Sequence, residues 1–393
     1  MLNTSFSPWP SYSLEEAEAI QRVLLSNKVN YWTGTETREF EKEFAAFVGC
    51  AYAVALANGT VALDVAFKAL GVGVGDEVIV TSRTFLASVS AIVNAGATPV
   101  FADVDADSQN ITPVTVAKAI TAKTKAIVCV HLAGWPCDMD GMMALAAQHG
   151  LFVIEDCAQA HGATYNGRSV GSIGHIAAWS FCQDKIMTTG GEGGMVSTND
   201  KVLWSKMWSY KDHGKSWQAV YETAHPPGSG FRWLHDSFGT NWRMTEIQAV
   251  LGRLQLLRMP QWTARRRANA NKIWDAARQM PGLRVPIVPA NIGHAAYKCY
   301  VFVRADRLKV GWSRDRIMEA IAACGVPCYS GACSEVYLEK AFDNTGWRPK
   351  ERLSVAKELG ETSLMFLVHP TLSDDEIQKT CDAIVKVMSE ASN

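Results

Sequence analysis

Long apolar runs are missing from this 393-residue chain: none reaches the ~18 to 20 residues a helix needs to cross a bilayer, which excludes a membrane-spanning helix. The opening MLNTSFSPWPSYSLEEAEAI has neither a basic start nor an apolar centre, so no secretory leader is expected. Paired cysteines are missing as well. The 10 cysteines stand singly, without a CxxC, and the nearest group, Cys324, Cys328 and Cys333, has no matching ligand pair elsewhere. Neither a metal site nor a disulfide framework is therefore expected. Scattered thiols in a chain of this size predict a reduced, cytoplasmic protein. There is no excess of either charge: 38 basic residues against 39 acidic ones leave −1, so nothing calls for nucleic acid or an anionic membrane as partner. Repeats and low-complexity segments are lacking, and so is a GxxxxGK[ST] phosphate loop. The GVGVGD string, Gly71–Asp76, follows a helical pattern and precedes a strand. That is the reverse of a dinucleotide fingerprint and predicts a helix-ending turn.

What is present is ordinary globular composition, 48% hydrophobic and 20% charged. At ~150 residues per unit the length suggests two to three folding units. From Cys50 to Ser197, short β-branched runs alternate with Ala/Leu-rich helical stretches. YAVALA, EVIVT, PVFADV, AIVCVHL and FVIEDC are the strands, and AAWSFC and MVST continue the series. Near-continuous apolar strands separated by helices predict an α/β fold with a mostly parallel sheet covered on both faces. Right-handed crossovers place the strand C-terminal ends on one edge, where ligands bind. Polar His213–Trp233 reads as a loop, Arg243–Met259 as a helix, and Pro260 as a kink or a boundary. The expected division is an N-terminal arm and large domain over 1–260 and a smaller α/β domain over 261–393. The run Arg265–Arg266–Arg267 reads as a solvated helix face.

Four segments could carry chemistry. In SFCQDKIMTTGGEGGMVST a strand delivers Lys185 beside a glycine cluster, so this lysine is either a Schiff-base nucleophile or a surface lysine in a turn. In VIEDCAQAHGA, Asp156 ends an apolar strand, where a charge needs a partner. The partner is either the protonated nitrogen of a pyridine ring or, if Asp156 is an N-cap, the backbone of the next turn. Gln159 lies within reach of the same ligand. In ANGTVALDVAFKAL, Gly59 and Thr60 open a helix directly after a strand, which suits a phosphate. In SRTFLAS, Phe85 follows the next strand and either stacks on a flat ring or packs in the core.

Phosphate site, aromatic, Asp and Lys occur in chain order on successive strand ends. With the strings WTGTETREFEKEFAAFVG, VHLAGWPCDMD, VIEDCAQAHGA, SFCQDKIMTTGGEGGMVST and NWRMTEIQAVLGRLQL, this pattern resembles the DegT/DnrJ-type nucleotide-sugar aminotransferases. These are pyridoxal-phosphate enzymes of aminotransferase fold type I, with a mostly parallel mixed sheet between helices and a small C-terminal α/β domain. The resemblance implies that Lys185 holds the cofactor covalently and that Asp156 pairs with the pyridine nitrogen. It also implies that Gln159 meets the ring hydroxyl, that Phe85 stacks on the ring, and that Gly59, Thr60 and Ser180 hold the phosphate. Asn241 would reach the phosphate of a neighbouring subunit, making the active sites of a homodimer shared. His131 and His161 are expected to be structural.

The implied reaction passes the amino group of L-glutamate, released as 2-oxoglutarate, to a nucleotide-linked keto sugar. Overall similarity points to C4 of a UDP-linked 4-keto-6-deoxy-N-acetylhexosamine, for surface-glycan synthesis. GDP- or dTDP-linked 4-keto sugars and 3-keto sugars are the alternatives, and a sugar dehydratase or a non-catalytic regulator stands further off. Lys185 speaks against the dehydratase, which carries a His there. The turn TTGGEGG is one glycine longer than the usual form, and Tyr329–Phe342 departs from the family string near the sugar. That segment and the His213–Trp233 loop are the candidate sugar and nucleotide contacts, with Lys211 and His213 either meeting a diphosphate or lying in solvent.

Overall fold

The computed structural model describes residues 6–393 apart from 225, 227–229 and 231, so those five positions of the predicted His213–Trp233 loop lie outside the described residues, as does the start of the N-terminal segment. The strands of the first two-thirds are β1 (Tyr52–Leu56), β2 (Glu77–Thr81), β3 (Thr98–Ala102), β4 (Thr124–Val130), β5 (Phe152–Asp156), the short β6 (Thr164–Tyr165) and β7 (Arg168–Ser169), β8 (Ile176–Ser180) and β9 (Gly194–Thr198). The remaining ones are β10 (Leu283–Arg284), β11 (Ile292–Gly293), β12 (Cys299–Val303), β13 (Cys328–Tyr329) and β14 (Ser363–Phe366).

The main sheet has seven strands in the order β1-β9-β8-β5-β4-β2-β3. Helices connect β1 to β2 and β4 to β5, and these pieces run parallel. Only a glycine-rich excursion joins β8 to β9. Without a crossover helix the chain returns antiparallel, so β9 runs against both β8 and β1. The sheet is thus mostly parallel but mixed, and β1, β2, β4, β5 and β8 all end on one edge. Buried Val54, Val78, Val80, Val128 and Ile154 on one face and Ala55, Ile79, Ile127 and Val153 on the other explain why these strands read as continuous apolar runs. The predicted turn at GVGVGD is present: Gly71 ends the helix Gly59–Leu70 at φ 68°, a left-handed conformation that glycine reaches without a Cβ penalty.

A second, four-stranded antiparallel sheet, β10-β12-β14-β13, forms the C-terminal part with helices Arg314–Ala323 and Asp374–Ala391. One helix joins the two parts. It runs from Glu246 to Arg278 straight through Pro260, whose missing N–H leaves the Leu256 carbonyl without its helical donor. The expected division at 260/261 therefore falls inside a continuous helix. Before Pro260 its Ala249, Leu256 and Met259 pack with Phe40, Phe44 and Trp179; after it Ala270, Ile273, Trp274 and Ala277 enter the core of the small sheet.

Three expectations are corrected. The arginine run is not a solvated face. Arg265 pairs with Asp374 at 3.0 Å, Arg266 is only 1% exposed, and Arg267 donates to the carbonyls of His294 and Gly162. The side of this helix that faces water is carried by Gln261, Ala264, Ala268 and Asn271, while Arg266 points into the packed interior. The His213–Trp233 segment contains a helix, Trp217–Tyr221, whose rings pack on Trp204 and Trp208. Lys211 is neither in a solvated loop nor free for a diphosphate. It is buried, bonded to Glu41 at 2.9 Å and seated 3.9 Å from the centre of the Tyr31 ring, which together offset its desolvation.

His161 is buried in the aromatic core, its ring 5.2 Å from Trp179 and 5.5 Å from Phe181. Neither ring nitrogen has a hydrogen-bond partner among the described residues. Burial, and then the charges of Lys185 and Arg266, push its pKa from 6.5 down to about 3. Between those values the unfolded chain binds a proton that the folded chain refuses, so stability is lost as pH falls below 6.5. From pH 7 to pH 5 this one ring should account for about 2 kcal/mol. Chemical denaturation of His161→Phe at both pH values should show a pH dependence smaller than wild type by that amount; equal pH dependence would mean that the ring is charged in the folded protein.

Candidate active site

The shared edge of the main sheet brings four sequence segments together. At the end of β1, Asn58 caps the following helix, its side chain accepting from the Val61 N–H at 3.0 Å. Gly59 and Thr60 then occupy the first helical turn, where backbone N–H groups have no helical acceptor and the helix dipole is positive. No side chain fits at Gly59, because a Cβ would stand 2.6 Å from Ser180 Cβ. The absence of that Cβ lets the Ser180 hydroxyl, at the end of β8, lie against the helix start. Gly194 does the same from β9, with space for a Cβ only 2.2 Å from the Asn58 carbonyl oxygen.

Two strands away, Asp156 ends β5 as a buried carboxylate. Ser88 donates to its Oδ2 at 2.7 Å and the Ala158 N–H to its Oδ1 at 3.2 Å. Ser88 in turn meets Thr84 at 2.9 Å, so the carboxylate is oriented from the loop that follows β2. No helix begins at Asp156, yet its Oδ1 does bind the backbone of the next turn at Ala158, so the capping alternative is met in part, and among the described residues no cation pairs with the carboxylate. Gln159 accepts from the Ala133 N–H at 2.8 Å and so ties its own loop to the turn after β4, where Ala133 has φ 56°.

His131, Glu155 and Cys157 cluster just below this edge with ligand atoms close enough for a metal ion. The hydrogen bonds of His131 and Glu155 leave neither of them a free lone pair. His131 Nδ1 accepts from the Cys137 N–H at 3.0 Å, which puts its proton on Nε2, 3.0 Å from Glu155 Oε2. Glu155 also takes the N–H groups of Gly171, Ile173 and Gly174. Burial pushes Glu155 up, but the His131 bond and these backbone donors outweigh it and hold its pKa below the usual value. Burial drives the Cys157 thiol well up, away from the thiolate a metal needs. The His131–Glu155 pair pins loops together.

Lys185 follows β8. Its side chain is 17% exposed, so it is not a surface lysine, and Nζ lies 3.7 Å from Asp184 Oδ1 and 5.4 Å from the centre of the Tyr297 ring. Tyr297, from the C-terminal part, donates to Asp184 Oδ2 at 2.5 Å, and the Trp9 indole of the N-terminal segment donates to the Lys185 carbonyl at 2.8 Å. Phe85 is 72% exposed, which removes its core-packing reading. Asn241 is exposed and bridges Asp212; the next two residues tie this segment to the end of β1, through Ala57 N–H to the Trp242 carbonyl at 2.9 Å and a Leu56–Arg243 bridge. Gly59, Thr60, Ser180, Asp156, Gln159, Phe85 and Lys185 thus all sit on or just beyond one sheet edge, and Asn241 lies on a strand-like segment bound to it. Sequence reading missed Ser88, Asp184, Tyr297 and Trp9. Ser88 had a signal, four residues after Thr84 in a loop-to-helix turn. Trp9 and Tyr297 had none, being 176 and 113 residues away from the groups they bond.

The Tyr329–Phe342 segment returns to the same edge. The Val336 N–H donates to the Ser82 carbonyl at 2.9 Å, and Ser82 Oγ donates to the Ser334 carbonyl at 3.1 Å, three residues from Phe85.

Comparison with known proteins agrees with this arrangement. The model of the DegT/DnrJ/EryC1/StrS aminotransferase family matches residues 10–385. The crystal structure of an aminotransferase from Psychrobacter cryohalolentis is 66% identical in sequence and superposes with a TM-score of 0.96 over 98% of this chain and 99% of that one. The spore coat polysaccharide biosynthesis protein SpsC of Bacillus subtilis is 36% identical, covering 97% of this chain and 96% of the relative. GDP-perosamine synthase of Escherichia coli O157:H7 is 34% identical, over 97% and 98%. Other relatives are named for UDP- and dTDP-linked amino sugars. Matched over almost its whole length by this family model, and with a buried Asp, a lysine and a helix start converging at one sheet edge, the chain belongs to the DegT/DnrJ/EryC1/StrS aminotransferase family and is a pyridoxal-phosphate-dependent sugar aminotransferase.

Proposed function

We propose that this enzyme moves the amino group of L-glutamate onto C4 of a UDP-linked 4-keto-6-deoxy-N-acetylhexosamine, in the cytoplasm, for a surface glycan. The observation that carries the amino-transfer chemistry is the placement of Lys185, the buried Asp156 and the Gly59–Ser180 contact on one edge. Bound there, pyridoxal phosphate supplies an aldehyde that amines can join and an electron-poor ring that absorbs the electrons of a breaking C–H bond.

The residues present fit that group. The first-turn N–H groups of Gly59 and Thr60, with the Ser180 hydroxyl, offer donors to a phosphate. Among the described residues Asp156 has no cation partner, and its buried carboxylate is suited to a protonated pyridine nitrogen; Ser88 and the Ala158 N–H fix its orientation. Gln159 is assigned to the ring hydroxyl and exposed Phe85 to the ring face. Lys185 would hold the group through its Nζ, and the same Nζ, when free, would serve as base and then as acid, taking a proton and giving it back. Asp184 and Tyr297 set where that amine rests. Asn241 is assigned to the phosphate of a second copy, so a homodimer shares its sites. Residues 1–260 supply the cofactor groups on this reading, and 261–393 add Tyr297 and the Tyr329–Phe342 segment.

Relatives matched over most of the chain are named for UDP-, GDP- and dTDP-linked amino sugars, which supports a nucleotide-linked sugar as the acceptor, and Tyr329–Phe342 docks beside Phe85. The names of GDP- and dTDP-linked relatives favour a second reading, in which the nucleotide differs and the chemistry is the same. Purified enzyme given glutamate and a panel of UDP-, GDP- and dTDP-linked 4-keto and 3-keto sugars should form the amino sugar fastest, by mass spectrometry, from the UDP-linked 4-keto compound; preference for a 3-keto sugar would defeat the C4 assignment.

Lys185→Ala should lower multiple-turnover kcat by about 10³-fold or more while cofactor still binds, and borohydride should no longer attach cofactor to protein. Near-normal turnover would overturn the assignment. Asp156→Asn, which keeps the shape and removes the charge, should lower kcat by about 10² or more and shift the cofactor absorbance. Asn241→Ala alone should weaken cofactor binding. When Lys185→Ala and Asn241→Ala chains are mixed and allowed to exchange, one site of each hybrid dimer regains both groups, so activity should recover to about a quarter of wild type. No recovery on verified exchange would place Asn241 in its own chain's site.

A further inference from the structure

Behind the Lys185 turn lies a cavity of about 160 Å³ between the N-terminal segment and the C-terminal part, larger than one water molecule requires. Trp9, Arg266 and Lys298 line it, with Tyr297, His369 and Asp184 in its wall. Arg266 is the unusual member. It lies on the long helix, 1% exposed, and its Nε and Nη2 have no hydrogen-bond partner among the described residues. The Trp9 ring lies 4.9 Å from its Cζ, and Nη1 reaches the Tyr297 carbonyl at 3.5 Å. An indole face satisfies the π side of a guanidinium; it does nothing for the in-plane N–H donors. A buried guanidinium with two of its three nitrogens unmet is costly, and an anion in its plane is the usual remedy.

The surroundings supply no such anion. Asp184, the one carboxylate among the lining residues, is taken by the Tyr297 hydroxyl and the Lys185 amine. His369 stacks on Trp9 and bonds Thr371 through Nδ1; burial, with Arg266 and Lys298 nearby, pushes its pKa down to about 3 and keeps it neutral. Lys298 sits 4.7 Å from the centre of the Tyr297 ring, and burial lowers its pKa to about 8. Two cations therefore face one cavity whose single acid is already engaged.

We propose that this cavity binds a small carboxylate or oxyanion, held in the plane of Arg266 by Nε and Nη2 with Lys298 as the second cation. The ligand would sit against the Asp184–Lys185 turn, so occupancy would bear on the lysine without touching the cofactor groups. A carboxylate of the amino donor and a free inorganic anion share this chemistry, and the two can be told apart. The proposal does not depend on which keto sugar is aminated.

The test is calorimetric titration of the pyridoxal-phosphate-loaded protein, whose helix start at Gly59 is then filled, in buffer without other anions. Inorganic phosphate and 2-oxoglutarate are the probes. At least one should saturate a single site per chain in wild type and in cofactor-loaded Lys185→Ala, and Arg266→Gln should weaken it by about tenfold or more. Saturation by 2-oxoglutarate alone, lost in Arg266→Gln, would identify the donor's carboxylate as the source, and saturation by phosphate an inorganic one; 2-oxoglutarate binding that Arg266→Gln leaves unchanged belongs to the catalytic centre and would overturn the proposal for that probe. Lys298→Met should weaken the same site several-fold and decides the matter if Arg266→Gln does not fold. Wild-type affinity in the folded variants, or no saturable binding of either probe, would overturn the proposal. Loss of transamination in Lys185→Ala with anion binding intact separates this site from the catalytic reading.

Discussion

A charge that cannot reach water organises this molecule. Asp156 ends a strand buried on both faces, and among the described residues the groups that satisfy it are the Ser88 hydroxyl and the Ala158 N–H. The Ser88 donor is in place because β2 and β5 end at the same edge of a parallel sheet, so the segment after one can reach the carboxylate on the other. The same edge receives the helix start at Gly59 and, from β8, Ser180 and the turn that carries Lys185. Parallel order is what makes this convergence possible, since in an alternating antiparallel sheet every second strand would end on the opposite side. The single antiparallel strand, β9, brings its first residue, Gly194, back against Asn58 and closes the cradle.

Beneath the edge, a layer of buried polar contacts holds the loops still. Glu155 gathers three backbone N–H groups and a histidine, and Lys211 joins Glu41 under the end of the helix Lys201–Lys211. Each is tolerable in a dry interior because nearly every donor finds an acceptor. Arg266 breaks that pattern. Its unsatisfied plane stands out because neighbouring arginines on the same helix are paired, Arg265 with Asp374 and Arg267 with two carbonyls.

The C-terminal part adds groups to a site whose cofactor residues come from the large sheet. Tyr297 reaches Asp184 beside the lysine, and Ser334–Val336 dock onto Ser82 beside Phe85. A continuous helix through Pro260 links the two cores, so the position of one sheet against the other is carried by helical backbone. Proline is a strong local signal for a break, but both halves of this helix are packed against a core, and that burial outweighs one lost hydrogen bond.

Local pattern by itself determined the strands, the helices between them, the shared edge and the residues on it. Apolar runs of strand length have few other ways to fold, and a lysine, an acid and a helix start at successive strand ends carry their chemistry with them. Tertiary structure alone decided which charges are buried. In sequence Lys211 and the Arg265–Arg267 run look like solvent-facing basic residues, and only the partners that fold back onto them, Glu41, Asp374 and Trp9, show otherwise. Those partners lie 109 to 257 positions away, far beyond any periodic signal, because burial is a property of the packed chain and not of its neighbours in sequence.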